Sequence, residues 1–93
     1  MNIETETNNN FQTDDLLISS YLLCRQAKLI DIVSDSPRHF IFIFLDLAHC
    51  KNLVHEYLNN GTATARELFA RREELITQMR NRDRNGNSYG ART

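Results

Sequence analysis

The sequence predicts a small single-domain α+β fold in the order α-β-β-α-α, a β-hairpin packed with three helices. Three observations predict it. Two apolar segments, Leu29-Ile30-Asp31-Ile32-Val33 and Arg38 to Leu45, flank the turn-forming run Ser34-Asp35-Ser36-Pro37. Apolar residues recur at helical spacing on both sides of that pair. The chain has 93 residues, enough for one domain and no more.

Residues 1–12 are polar and of low complexity, with Thr5-Glu6-Thr7-Asn8-Asn9-Asn10 at their centre, and are expected to form a disordered N-terminal tail. Thr13 or Asp14 can then cap a first helix running to about Gln26, with Leu17, Ile18, Tyr21, Leu22 and Cys24 turned inward. The hairpin follows, with an expected loop of about four or five residues. Asp31 interrupts the apolar run of its first strand, so one face of that strand can be wet.

The second strand has no such interruption. Phe40, Phe42 and Phe44 point one way, and Ile41, Ile43 and Leu45 point the other. Such a strand needs cover on both faces. Three helices packed on one face would leave the other open, and two strands alone seldom stand in water. A dimer, edge to edge or face to face, is the simplest remedy; one helix on each face is another. Phe40, Phe42 and Phe44 are the expected contacts with a twin or a protein partner.

Asp46 caps the next helix, whose stripe is Leu47, Cys50, Leu53, Val54, Tyr57 and Leu58. Asn59-Asn60-Gly61 ends it, with Gly61 suited to a left-handed position. The last helix opens on a capping box, Thr64-Ala65-Arg66-Glu67, and is expected to bury Leu68, Phe69, Leu75, Ile76 and Met79. Glu67 precedes Arg71 by four residues, the favourable order for an ion pair. The pattern stops after Arg80. The domain is therefore expected over residues 13–80, followed by a flexible basic tail over 81–93.

Composition narrows the function. The chain is 41% hydrophobic and 25% charged with a net charge of -1, so no global field draws it to nucleic acid or membrane. No apolar run approaches a membrane span, and the acidic, Asn-rich start has no signal-peptide character, so a cytoplasmic setting is expected. Cys24 and Cys50 form no disulfide framework and read as small buried hydrophobes. There is no Gly-rich phosphate loop, CxxC, HExxH or nucleophile elbow. His49, Cys50 and His55 do not converge on one helix, and Cys24 and His39 are the only other soft ligands. No catalytic residue, cofactor, metal or small-molecule substrate is expected.

The charge is uneven. From Arg66 onward seven arginines face four carboxylates, a net of +3. Arg71, Arg72, Arg80, Arg82 and Arg84 are the candidate nucleic-acid contacts, the alternative to a protein partner. Arg72 lies beside the apolar stripe, where it can snorkel or pair with Asp31 or Glu56. The alternation of Phe40 and Phe42 behind Arg38 resembles the aromatic RNA-binding strand of RRM domains. His39 and Ile41, however, stand where that motif has small residues, and the first and last strands of that fold are missing.

A broader pattern runs through the chain. Thr13-Asp14 and Tyr21-Leu22-Leu23 precede a hairpin ending in Phe42-x-Phe44-x-Asp46. Cys50-x-x-Leu53-Val54-x-x-Tyr57-x-Asn59-Asn60-Gly61 follows, then a capped helix with Phe69 and Leu75. Over about residues 11 to 79 this resembles a family of small prokaryotic and phage proteins known as a domain of unknown function. The resemblance implies a stand-alone small domain from a prokaryote or one of its mobile elements, and carries over no catalytic residue. Gln26-Ala27 departs from it, because a glycine is expected before the first strand.

Overall fold

The computed structural model describes residues 9–92, with side chains through Arg82. It is a small α+β domain: β1 (Asn10–Thr13), α1 (Leu16–Cys24), β2 (Leu29–Ser36), β3 (His39–Leu45), α2 (Leu47–Leu58) and α3 (Ala65–Arg92). The predicted α-β-β-α-α order is present, preceded by a strand that the sequence reading assigned to the tail. Of that expected tail, residues 1–8 lie outside the described residues.

The sheet is antiparallel in the order β1-β3-β2, which makes β3 the central strand. Phe44 pairs with Phe11 on one side and Leu29 on the other; Phe42 pairs with Thr13 and Ile32. Cross-strand partners share a face, so Phe11, Leu29, Ile32, Phe42 and Phe44 converge. They meet Leu22 of α1, Cys50 and Leu53 of α2, and Leu75 of α3 in a single core. Helices α1 and α3 pack together, α2 lies against β1 and β3, and α3 reaches β2.

Each helix is capped by a named side chain. Asp15, not Thr13 or Asp14, caps α1: its carboxylate accepts from the Ile18 N–H at 2.9 Å, while Thr13 Oγ1 accepts from the Asp15 N–H at 3.1 Å. Asp46 caps α2 through the His49 N–H at 3.1 Å, and Thr64 caps α3 through the Glu67 N–H at 3.1 Å. Ser19 and Ser20 lie fully buried in α1, their hydroxyls returned to the Asp15 and Leu16 carbonyls. Small, internally satisfied residues there let α1 sit close to its neighbours.

The chain turns its corners on non-glycine residues. Gln26, Arg38, Asp46 and Asn60 all have φ between 68° and 74°. At the end of α1 the Gln26 N–H donates to Leu23 O and the Ala27 N–H to Leu22 O, both at 2.9 Å, the bond pair of a Schellman motif. The glycine expected before β2 is thus a real conformational demand, met here by Gln26. The hairpin loop is Pro37-Arg38, two residues rather than four or five, with proline first and the positive φ second, as a type II turn requires. At the end of α2 the left-handed residue is Asn60, not Gly61. Gly61 serves for space: its N–H donates to Glu56 O at 2.7 Å, and a Cβ there would press on the Tyr21 hydroxyl.

Three inward assignments change. Leu17 and, at the end of α2, Leu58 are exposed, and Phe69 is 61% exposed on the outer side of α3. Neighbouring positions on a helix lie about 100° apart, and Leu68 and Leu75 take the inward stripe instead. Arg71 pairs with Glu74 at 2.9 Å rather than with Glu67. The helix also continues past Arg80 to Arg92, where a flexible tail was expected.

Candidate functional site

The candidate site follows from the parity of β3. Successive side chains of a strand face opposite ways, and Phe42 and Phe44 are 1% and 0% exposed in the core. Phe40 also packs against that core, half-buried. Of the expected contact residues, Phe42 and Phe44 are therefore removed from any surface, because the chain's own helices cover their face. The same burial takes the phenylalanines away from any base-stacking role.

The opposite face carries the alternate residues. Ile43 is flanked by Gln12 and Asp31, Ile41 by Val33, and Leu45 by Asn10. None of Val33, Ile41, Ile43 and Leu45 joins the core; Val33 is 36% and Leu45 47% exposed. The result is an apolar stripe along the central strand, bordered by uncharged Asn10 and Gln12 on the β1 side. On the β2 side the border is Asp31, which also receives an ion pair from Arg82 and accepts from the Ile32 N–H at 2.8 Å. A shallow hollow at one end is lined by Gln12, Thr13, Asp14, His39 and Ile41. There His39 Nδ1 lies 2.6 Å from Asp35 Oδ1 and Nε2 lies 3.0 Å from Asp14 Oδ2. The hydrogen bonds to Asp14 and then to Asp35 raise the His39 pKa above 6.5.

A second polar cluster lies on the helical side. The Tyr21 hydroxyl donates to Glu56 Oε1 at 2.7 Å and accepts from Arg25 Nε at 3.1 Å; Arg25 also donates to Thr62 O at 2.7 Å. Arg25 stacks over the Tyr21 ring, whose other neighbour is Tyr57 at 5.3 Å. Burial, and then the bond to Glu56, raises the Tyr21 pKa, so the phenol stays protonated as a donor. These bonds join α1 to α2 and to the loop before α3.

Of the five candidate arginines, three are held in ion pairs with carboxylates. Arg71 pairs with Glu74, Arg72 with Glu73 at 3.3 Å, and Arg82 with Asp31. Arg80 is exposed, and the Arg84 side chain lies outside the described residues. The partners named for Arg72 are taken by others: Asp31 by Arg82 and Glu56 by Arg25. Cys50 is buried and donates to Leu45 O at 3.4 Å, and Cys24 is partly buried; burial raises both thiol pKa values. His49 and His55 are exposed. Among the described residues no group of three or more His, Cys, Asp or Glu could hold a metal ion, and no helix is long and apolar enough to cross a membrane.

The sequence pointed to β3, and of the three phenylalanines it singled out Phe42 and Phe44 are buried in the core while Phe40 is half-buried. The available signal was the pairing of polar Asp31 opposite Ile43, but it becomes legible only once the register is known. Comparison with family models, with curated proteins and with solved structures finds no match to this chain.

Proposed function

We propose that this protein is a non-catalytic interaction module that binds a second copy of itself face to face through the open side of its sheet, as an accessory component of a prokaryote or mobile element. The observation that carries the reading is the uncovered stripe Val33, Ile41, Ile43 and Leu45. Among the described residues no helix covers it, and an antiparallel sheet can pack on another about 10 Å away.

Charge favours a twin over a charged partner. The middle of the face bears no uncompensated charge, since Asp31 is matched by Arg82 and the β1 border is Asn10 and Gln12. A two-fold arrangement with antiparallel strands sets the His39 end of one copy over the Leu45 end of the other, so the carboxylates at Asp14 and Asp35 do not oppose their own images. The face is small. Three strands at about 4.8 Å spacing and seven residues at about 3.4 Å cover roughly 350 Å², below the ~800 Å² per partner of a stable complex. The association is accordingly weak and reversible.

Sedimentation velocity across a wide range of concentrations tests the reading. The wild type should move from monomer to dimer with rising concentration, and Ile43→Asp should stay monomeric with unchanged far-UV circular dichroism. A wild type monomeric throughout, or an Ile43→Asp chain that still dimerises, would overturn it. The nucleic-acid alternative has a separate test, salt-sensitive binding of random-sequence DNA or RNA that fails when Arg80 and Arg82 are changed to Ala.

A further inference from the structure

We infer that His39 is a proton-operated clasp that fastens β1 to the hairpin and so fixes one end of the open face; its bearing on function rests on that face being the working surface. Three separate pieces of chain meet at the ring. His39 opens β3, Asp35 lies near the end of β2, and Asp14 lies in the corner between β1 and α1. Both ring nitrogens are engaged by carboxylate oxygens, at 2.6 and 3.0 Å. A carboxylate is acceptor-only, and a neutral imidazole has one N–H. Both bonds can be donated only by the imidazolium.

Losing the proton therefore breaks one bond and sets a ring lone pair against a carboxylate. The longer bond, to Asp14, is the one that yields. Asp35 is only four residues away along the same hairpin, beside a register shift braced by the Ser34 hydroxyl on Ser36 O at 2.8 Å. Asp14 directly follows a strand of four residues whose only neighbour in the sheet is β3. The clasp thus adds one tie at the end of that short edge strand, beside its ladder to β3 and Phe11 in the core. Its release alters the hollow formed by Gln12, Thr13, Asp14, His39 and Ile41.

The charged groups acting on the ring are Asp14 and Asp35, both favouring the protonated form. A raised folded-state pKa gives a contribution that is whole below about 6.5, the unfolded value, and disappears as pH rises through the folded value. The window of change lies above pH 6.5.

Two nuclear magnetic resonance measurements test this on the full chain between pH 5.5 and 8.5. The first is the His39 ring titration. The second is amide exchange in β1, expressed relative to core amides of β3 so that intrinsic base catalysis cancels. The ring should titrate above 6.5, and β1 protection should fall severalfold across that titration. His39→Gln should make β1 protection flat with pH, and Asp14→Asn should lower the ring's midpoint. A midpoint at or below 6.5, or the same pH dependence in His39→Gln, would overturn the inference. Repeating the series in Ile43→Asp, which keeps the clasp but removes the proposed interface, separates failure of the clasp from failure of the dimer.

Discussion

Truncating two adjacent residues of β3 should have unequal consequences, and the contrast can be given a size. Phe42 is 1% exposed, flanked in the sheet by Thr13 and Ile32, and packed in the core with Leu22 and Leu75. Phe42→Ala removes roughly 100 Å² of buried apolar surface, about 2.5 kcal/mol at ~25 cal/mol per Å². The cavity left behind brings the total to about 3–5 kcal/mol. A chain of 93 residues has about 5–14 kcal/mol of stability in all, by ~0.05–0.15 kcal/mol per residue. With a urea slope of about 1.5 kcal/mol/M the midpoint should fall by about 2–3 M. Ile43, one residue on and facing outward, should cost under about 1 kcal/mol as Ala, and its midpoint should move by about 0.7 M or less. Urea unfolding followed by circular dichroism at low protein concentration measures both. Equal losses, or a greater loss at Ile43, would mean that the helices cover the other face and that the core is misplaced.

Four further outcomes follow from the corners and the polar cluster. Gln26→Gly, at φ 68°, should stabilise by about 1 kcal/mol, raising the thermal midpoint by roughly 4–8 °C; a fall would mean that the side chain contributes more than the backbone strain costs. Gly61→Ala should destabilise by about 1–3 kcal/mol, because its Cβ would lie 2.7 Å from Glu56 O and press on the Tyr21 hydroxyl; an unchanged denaturation curve would refute the close approach. Tyr21→Phe should cost about 1 kcal/mol, through the lost bonds to Glu56 and Arg25. Glu56→Gln and Tyr21→Phe should be less than additive, which a double-mutant cycle reads directly.

Much of the fold was legible because the periodic signals are local. The stripes of α1 and α2, the hairpin and the caps at Asp46 and Thr64 all sit within a few residues of their partners. β1 was not legible because Asn10-Phe11-Gln12-Thr13 has a single strongly apolar residue. It becomes a strand only by lending Phe11 to a core supplied by Phe44, more than thirty positions away. The site was half legible. Alternation in β3 required two covered faces, but which face the helices take depends on long-range packing of Leu22, Leu53 and Leu75. The His39 clasp has the same character, since Asp14 and His39 are 25 residues apart and meet only when β1 is in place.

The carboxylate of Asp31 bears on how far self-association can go. A strand at the border of a sheet invites another strand to extend it, and such additions have no natural end. Here Asp31 occupies the Ile32 N–H from within its own strand while Arg82 of α3 lies against it, so part of that border is closed to an incoming chain. The apolar faces offer the other direction of growth, and two faces laid together leave none over. With that border part-closed and the face left open, the face-to-face pair proposed above would stop at two copies, where an open border would favour a fibre.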